Sequence, residues 1–439
     1  MAVVGGIIGA GIFVSPAVVA QRVGTGGLTL GVWALGGLVA LAGAFCFAEL
    51  AARLPRAGGG YVYLREAFGP LPAFLYGWAL LLVIATGATA AVAFTFARYF
   101  IPLAGLPAAA ERPLAVGAIV LVVGLNYVGV RPAAYTQNVF TLLKLAALTL
   151  VIVAGLLLVS DGPTSPLPHT PGAVGLWGVG LSVGTALIPV LFTFGGWQQT
   201  NFIAEEIVDP QRTLPRALTL GVALVIVVYV LANAAYLHVL GAGGLAASTA
   251  PAADVLAATM GPVGQKLISA GIAASTFGFL NLVVLVTPRV FQAMAADGAF
   301  FAGFARLHPR YRTPGAAILL QGAWAVALAL TGTYARLLDY VVFGDWIFFG
   351  LCGAAVFVLR ARGGEATFRV PGYPVVPAFF VVAAGYVTIS AVIAAPAHAA
   401  IGAGLLALGV PIYLFGFKPP SRRAAETPRL QGDAERLRR

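Results

Sequence analysis

Charged residues are scarce in this sequence. They make up 9% of its 439 residues, while hydrophobic residues make up 60% and the mean hydropathy is +0.94. A soluble domain carries roughly 25% charged residues, so the composition predicts an integral membrane protein. The apolar runs are much longer than the strands of a membrane barrel, which favours helices. No basic segment with a small-residue cleavage site precedes the first run, which argues against a cleavable signal peptide.

Residues that perform catalysis or bind metals are also scarce. The two cysteines, Cys46 and Cys352, both lie inside apolar runs and are expected to be small buried hydrophobic residues. The four histidines lie in loops or at the ends of apolar runs: His169, His238, His308 and His398. No Ser/His/Asp grouping and no metal-ligand spacing is present. We therefore expect no enzyme activity, no catalytic residue, no metal and no cofactor.

Twelve apolar runs are long enough to cross a bilayer as helices, which needs about 20 residues. They occupy 2–21, 28–51, 71–97, 114–130, 138–159, 173–205, 217–240, 264–290, 314–331, 337–359, 374–395 and 398–417. The sequence therefore predicts an all-α membrane protein with about 12 transmembrane helices.

The positive charges are distributed unevenly over the segments between these runs. If the N-terminus is cytoplasmic, only five of the 26 Lys and Arg residues lie in segments on the outer side of the membrane: Arg22, Arg98, Arg112, Lys266 and Arg336. Lys144 and Arg289 lie within or at the edge of a run, and the other nineteen lie in segments on the cytoplasmic side. This asymmetry predicts that both termini are cytoplasmic. The net charge of +11 then reflects topology and contact with anionic lipid, and a nucleic-acid partner is not expected.

Glycines interrupt the first and the sixth apolar runs, at 5–16 (GGIIGAGIFVSP) and 192–197 (FTFGGW). Glycine costs about 1 kcal/mol relative to alanine inside a helix. Inside a bilayer, broken backbone is tolerated only where protein or a polar cavity satisfies its polar groups. Paired interruptions in two halves indicate the substrate site of a secondary transporter. The alternative is that the small residues allow close helix packing.

The spacing of the two interruptions predicts how the chain is divided. Five runs lie in each half, an odd number, so the second half enters the membrane with the opposite orientation, as in an inverted repeat. We expect a first repeat in 1–159, a second in 160–360 and two appended helices in 361–417. Residues 418–439 are polar and charged, and we expect a disordered cytoplasmic tail there.

A helix that stops and restarts inside the membrane leaves free N–H groups at one end and free C=O groups at the other. A zwitterion with adjacent carboxylate and ammonium groups matches that pair of ends. The central spans contain almost no Asp or Glu, so a strongly cationic or dicarboxylate cargo lacks an obvious counter-ion. Glu49, Glu205 and Glu206 lie toward the ends of runs, where we expect solvated side chains.

Several segments together resemble the amino acid–polyamine–organocation superfamily, along nearly the whole chain. Residues 6–16 (GIIGAGIFVSP) resemble its first-helix signature, and 191–197 (LFTFGGW), followed by Asn201, Glu205, Glu206 and 210–215 (PQRTLP), are similar to its sixth helix. Residues 138–144 (NVFTLLK) resemble the fifth helix of the L-type amino acid transporter branch, and 368–374 (FRVPGYP) also fit. The resemblance implies a LeuT-type 5+5 inverted repeat with broken helices 1 and 6.

The resemblance also implies roles for individual residues. The N–H groups of Ala10 and Gly11, next to Gly9, would bind the substrate carboxylate. The carbonyls of Ile7, Phe192 and Gly195 would bind its α-ammonium, and Phe192 would be an aromatic gate. The pocket for the substrate side chain would be lined by Trp197, Gln198, Ser275 and Phe279. Ordinary apolar packing is the alternative for Phe192 and Trp197.

Lys144 is the most informative single residue, because a lysine at the bilayer centre costs several kcal/mol and should face a polar interior. By resemblance, its ammonium replaces the sodium ion of related sodium-coupled transporters, bonding first-helix carbonyls and Ser275 or Thr276. It could also carry a coupled proton. The alternative is a lysine that extends to the membrane interface.

Two features differ from the usual family pattern. Only five residues, 1–5, precede the first-helix signature, so a short first half-helix is expected. The segment 98–113 has no cysteine, so no disulfide-linked partner subunit is expected.

The sequence thus indicates a permease that moves small neutral L-amino acids across the cell membrane by alternating access. It would be independent of sodium, and either an exchanger or proton-coupled. The alternative cargo is a cationic amino acid or polyamine, carried by antiport, which would require an acidic residue in the pocket. A receptor or channel is a further alternative, but a channel needs polar rings along a pore, and no span has a polar stripe.

Overall fold

The computed structural model describes the backbone of residues 1–129, 133–159, 176–332 and 334–417, with side chains except at 133–137, 176–177 and 334–342. The first eight α-helices are α1 (Ala2–Ile7), α2 (Gly11–Val23), α3 (Gly26–Arg53), α4 (Gly60–Phe68), α5 (Pro70–Ala79), α6 (Ala85–Ala104), α7 (Glu111–Val128) and α8 (Ala133–Leu157). The next eight are α9 (Leu176–Phe194), α10 (Pro210–Ala247), α11 (Pro251–Val286), α12 (Pro288–Ala296), α13 (Gly315–Thr331), α14 (Tyr334–Ala361), α15 (Val375–Ala394) and α16 (Pro396–Gly416). A π-helical turn, Leu80–Ile84, joins α5 to α6, and 3₁₀ helices form at Ala108–Ala110, Trp197–Glu206 and Ala302–Ala305.

The described ranges contain ten helical segments that are long and apolar enough to cross a membrane. Two shorter apolar helices, Gly11–Val23 and Gly315–Thr331, occupy the first and ninth predicted runs. Together they account for the twelve runs, so the prediction of an all-α membrane protein with about 12 transmembrane helices is confirmed. The boundaries of the two repeats stay a prediction. The expected disordered tail at 418–439 lies outside the described residues.

The first span is broken where the glycines predicted it. Helix α1 ends at Ile7, Ile8 is extended with φ −72° and ψ 93°, and α2 begins at Gly11. Six residues of the given sequence form α1.

The sixth span is broken in the same manner. Helix α9 ends at Phe194, and the chain continues after Gly195 and Gly196 as the 3₁₀ helix Trp197–Glu206. Gly196 has φ +103°, a conformation that residues with a side chain rarely adopt.

The two breaks contact each other in the interior of the bundle. A Cβ atom added to Gly196 would lie 2.2 Å from the carbonyl oxygen of Gly6. Beyond the breaks, α2 packs on α9, where a Cβ on Gly11 would lie 2.3 Å from the Oγ1 of Thr193. Glycine at these positions therefore lets the two unwound backbones approach each other directly, which a side chain would prevent.

The remaining long helices form the scaffold around this crossing. Helix α3 packs along α10, α11 packs on both α6 and α8, and α14 packs on α15. The two breaks are held at the centre, where nearly every side chain is buried.

Glu49, near the end of α3, corrects one expectation. Its side chain is fully buried rather than solvated, and its Oε2 accepts hydrogen bonds from the Arg360 guanidinium at 2.5 Å and from the Val370 N–H at 2.7 Å. Its Oε1 accepts from Arg360 at 2.8 Å and from Arg53 at 3.0 Å. A buried carboxylate requires this number of donors, and the cluster joins α3 to α14 and to the segment after it.

The other two glutamates are exposed, as expected. Glu206 accepts from Arg289 at 2.6 Å, with its side chain 56% exposed. Glu205 accepts from the Ala57 N–H at 3.1 Å.

Candidate functional site

A cavity of about 720 Å³, its open mouth included, lies at the crossing of the two breaks. The part of its lining at the two breaks consists of Ile7, Gly9, Ala10, Gly11, Leu191, Phe192, Thr193, Gly195 and Gly196. The rest comes from the π-helical turn, α6, the 3₁₀ helix Trp197–Glu206, α11 and α14, and includes Gln198, Gln199, Phe202, Phe279, Asp345, Trp346 and Phe349.

The N–H end of the first break is open to a ligand. Gly9 and Ala10 line the cavity, and their N–H groups make no hydrogen bond to any described residue. They lead directly into α2, whose N-terminus carries the positive end of the helix dipole. Free N–H groups at such an end form a binding site for an anion such as a carboxylate.

The C=O end of the first break is partly occupied by side chains. The Gly5 carbonyl accepts a hydrogen bond from the Nζ of Lys144 at 2.8 Å, and the Ile7 carbonyl accepts one from the Tyr229 hydroxyl at 3.1 Å. The same hydroxyl lies 3.3 Å from the Thr193 carbonyl of α9. Because α1 stops at Ile7, its last carbonyls have no partner within the helix. Lys144 and Tyr229 supply the missing donors.

Lys144 lies on α8 and is fully buried. Its Nζ is 5.9 Å from the centre of the Phe279 ring, and Phe279 lines the cavity against Gly9. The Thr276 hydroxyl donates to carbonyls of its own helix, and the Ser275 Oγ has no partner among the described residues. The lysine is thus one aromatic ring away from the cavity and bonded to the first break.

Most residues that the sequence proposed for the substrate come together at this cavity. Ile7, Gly9, Ala10, Gly11, Phe192, Gly195, Gln198 and Phe279 all line it. Trp197 and Ser275 do not belong to this lining. Their roles, and that of Lys144, stay predictions.

Trp197 packs away from the cavity. Its ring lies 4.7 Å from that of Phe47 and 5.4 Å from that of Phe349, measured between ring centres. The Gly196 backbone turns the chain at the break, so Trp197 contacts α3 and α14.

Asp345 was missed by the sequence reasoning. It lies on α14 and lines the cavity with Trp346 and Phe349, and its Oδ1 is buried without a partner among the described residues. The sequence analysis noted almost no Asp or Glu in the central spans and therefore no obvious counter-ion for a cationic cargo, and it overlooked this acidic residue in the lining. The signal was present, because an ionisable residue inside a membrane span indicates a functional site by default.

Tyr229 and Gln199 were also missed. Tyr229 is one of two tyrosines in a largely apolar run, with Tyr236, and the sequence does not distinguish it from an ordinary buried aromatic residue. Gln199 follows the sixth-span break and lines the cavity, and its Oε1 is buried without a partner in the described part of the chain.

Comparison with known proteins agrees with this architecture. The model of a family described as "Amino acid permease" matches residues 1–417. The chain is 33% identical to "Large neutral amino acids transporter small subunit 2" of Mus musculus over 420 residues, which is 94% of this chain and 79% of the relative.

Two further relatives are similar over comparable lengths. The chain is 33% identical to "Asc-type amino acid transporter 1" of Mus musculus over 429 residues, 94% of this chain and 79% of the relative. It is 32% identical to "b(0,+)-type amino acid transporter 1" of Homo sapiens over 401 residues, 90% of this chain and 81% of the relative. The protein is an integral membrane transporter rather than an enzyme, and the chain belongs to the amino acid permease family.

Proposed function

We propose that this permease moves small neutral L-amino acids across the cell membrane by alternating access. The observation that carries the proposal is the crossing of two broken helices at one cavity, with free N–H groups at Gly9 and Ala10. The N–H end binds the α-carboxylate. The carbonyls of Phe192 and Gly195, together with the remaining lone pair on Ile7, bind the α-ammonium. One relative is named for large neutral amino acids, which supports a neutral cargo.

We also propose that transport is independent of sodium. The Lys144 ammonium bonds the Gly5 carbonyl and supplies a fixed positive charge beside the first break. A cation at that place satisfies the unpaired carbonyl end of α1, as a bound sodium ion would do by the same electrostatics. Transport then proceeds by exchange or with a coupled proton.

The test is uptake of labelled alanine, serine and leucine into proteoliposomes. We expect uptake with equal rates in sodium and choline buffers, driven either by amino acid loaded inside or by an inward proton gradient. Lys144→Ala should lower uptake by at least tenfold, because removal of a buried charged donor costs roughly 1.5–3 kcal/mol. Lys266→Ala is the matched control, since Lys266 is exposed on α11. Uptake that requires a sodium gradient would contradict the role of Lys144, and absence of amino acid uptake would contradict the function.

The proposed orientation places both termini in the cytoplasm, which the excess of Arg in the predicted inner segments supports. Single cysteines introduced at Leu106 and Phe301, both exposed, test it in intact cells. The native Cys46 and Cys352 are buried and give a low background. A membrane-impermeant thiol reagent should label Leu106→Cys and spare Phe301→Cys, and the reverse pattern would refute the orientation.

A further inference from the structure

Two buried acceptor oxygens in the cavity have no donor. The Oδ1 of Asp345 on α14 and the Oε1 of Gln199 in the 3₁₀ helix Trp197–Glu206 lack a hydrogen-bond partner among the described residues. By contrast, the neighbouring Gln198 is satisfied, since its Oε1 accepts from the Gly196 N–H at 2.9 Å. Buried polar atoms in proteins nearly always have a partner, because burial without one is costly. Two exceptions in one cavity therefore require an explanation.

The described lining of the cavity supplies no cationic partner for the Asp345 carboxyl group. No Lys or Arg is among the described residues that line the cavity. Asp345, Trp346 and Phe349 share one face of α14, and the Trp346 and Phe349 rings are in edge contact, 5.5 Å between centres. The carboxyl group thus lies beside aromatic residues, and the Tyr76 hydroxyl of α5 is near enough to interact with it electrostatically.

The substrate in the cavity is a source of the donor that these oxygens lack among the described residues. The α-carboxylate and α-ammonium of an amino acid are bound by the main chain of the two breaks in the proposed function, so they do not require Asp345. The variable part of the cargo is its side chain, and the wall of the cavity at α14 and Trp197–Glu206 offers that side chain acceptors.

We infer that Asp345 is a specificity-determining residue, whose carboxyl group accepts a hydrogen bond from a donor on the side chain of the transported amino acid. The inference rests on the proposed function and narrows its cargo. Neutral amino acids with a side-chain hydroxyl or amide group are carried in preference to apolar analogues of the same shape. A pocket that hydrogen-bonds a substrate rejects the analogue that leaves its polar group unpaired.

Paired substrates in proteoliposomes test the inference. Threonine and valine have the same shape and differ in one hydroxyl group, and lysine and norleucine differ in a terminal ammonium group. In the wild type we expect the donor-bearing amino acid of one pair to be taken up at about ten- to hundredfold higher kcat/KM than the apolar amino acid of that pair. This is the factor for a hydrogen bond to a charged group. Preference for threonine over valine with exclusion of lysine supports the inference, and preference for lysine would overturn the neutral cargo on which it rests.

Variants assign the preference to the carboxyl group. Asp345→Leu should abolish the preference and preserve uptake of the apolar partner. Asp345→Asn keeps one acceptor oxygen without the charge, so the preference should fall and remain above one, because uncharged hydrogen bonds are about half as strong. Asp209→Asn, an exposed Asp outside the cavity, should leave the ratios unchanged.

The outcomes separate this inference from the proposed function. Equal uptake within both pairs by the wild type, or ratios unchanged in Asp345→Asn, would overturn the role of Asp345 while leaving the permease intact. Absence of uptake for valine, threonine, lysine and norleucine alike would overturn the proposed function itself. If Asp345→Leu fails to fold, as judged by thermal unfolding, the uptake ratios of Asp345→Asn within each substrate pair still test the role of Asp345.

Discussion

Substitution of Gly196 by alanine should separate the two breaks. The new Cβ would lie 2.2 Å from the Gly6 carbonyl oxygen and 2.8 Å from the Gly6 carbonyl carbon, and both are backbone atoms that no rotamer change can move. Gly196 also has φ +103°, which is strained for alanine. The strain costs about 1–3 kcal/mol, and overpacking costs a further 1–3 kcal/mol or so. The expected loss of stability is therefore roughly 2–6 kcal/mol.

Two other glycines separate the components of this effect. Gly105 has φ +63° with nothing within 4 Å of its added Cβ, so Gly105→Ala reports the backbone strain alone, about 1–2 kcal/mol. Gly385 is helical, exposed and equally open, so Gly385→Ala should cost nothing. Thermal unfolding of the three purified variants gives the order Gly196, Gly105, Gly385, from largest to smallest loss.

The functional readout distinguishes the site from general stability. Separation of the breaks moves the Ile7 and Gly195 carbonyls away from the N–H groups of Gly9 and Ala10, so Gly196→Ala should bind alanine at least tenfold more weakly. Gly105→Ala should bind it as the wild type does. If Gly196→Ala unfolds at the same temperature as Gly385→Ala and binds alanine as the wild type does, the direct contact between the breaks is refuted.

Two further substitutions test contacts that hold the site in place. Glu49→Gln leaves Arg360 and Arg53 facing a neutral group and should lower stability by about 3–5 kcal/mol in thermal unfolding. Glu206→Gln, which removes the charge from an exposed ion pair, is the control. A loss for Glu49→Gln no larger than that of the control would refute the buried cluster. Tyr229→Phe removes the donor shared by Ile7 and Thr193 and should weaken amino acid binding severalfold with a stability loss of about 1 kcal/mol. Tyr236→Phe, which removes a bond to Ile12 in α2, should cost similar stability without the loss in binding, and equal binding by both variants would refute the role of Tyr229.

The sequence was sufficient for features with a local cause. Glycine destabilises a helix wherever it stands, so both interruptions were predictable at the residues where α1 and α9 end. Lys144 was identified because a buried cation is costly enough to require a reason. The presence of Ile7, Gly9, Ala10 and Gly11 in the cavity lining was expected from the family resemblance of the first interruption.

Features that depend on packing could not be predicted in this way. Trp197 is adjacent to the second break, but its direction depends on the Gly196 backbone and on Phe47, 150 positions earlier in the chain. Tyr229 reaches the Ile7 carbonyl, 222 positions away. Asp345 is flanked by Phe343, Trp346, Phe348 and Phe349, whose hydropathy hides one acidic residue in any average over a span.

The partners already present at the first break indicate which group of the cargo binds most firmly. On the carbonyl side, the Gly5 and Ile7 oxygens each already accept one hydrogen bond, from Lys144 and Tyr229, before any substrate binds. On the other side, the N–H groups of Gly9 and Ala10 have no acceptor among the described residues, and the dipole of α2 adds positive potential there. An unpaired buried donor costs more than a carbonyl that has filled one of two lone pairs. We therefore expect the carboxylate to be the primary anchor and the ammonium to add orientation, which leaves the acceptors on α14 and in Trp197–Glu206 free to select the side chain in the proposed function.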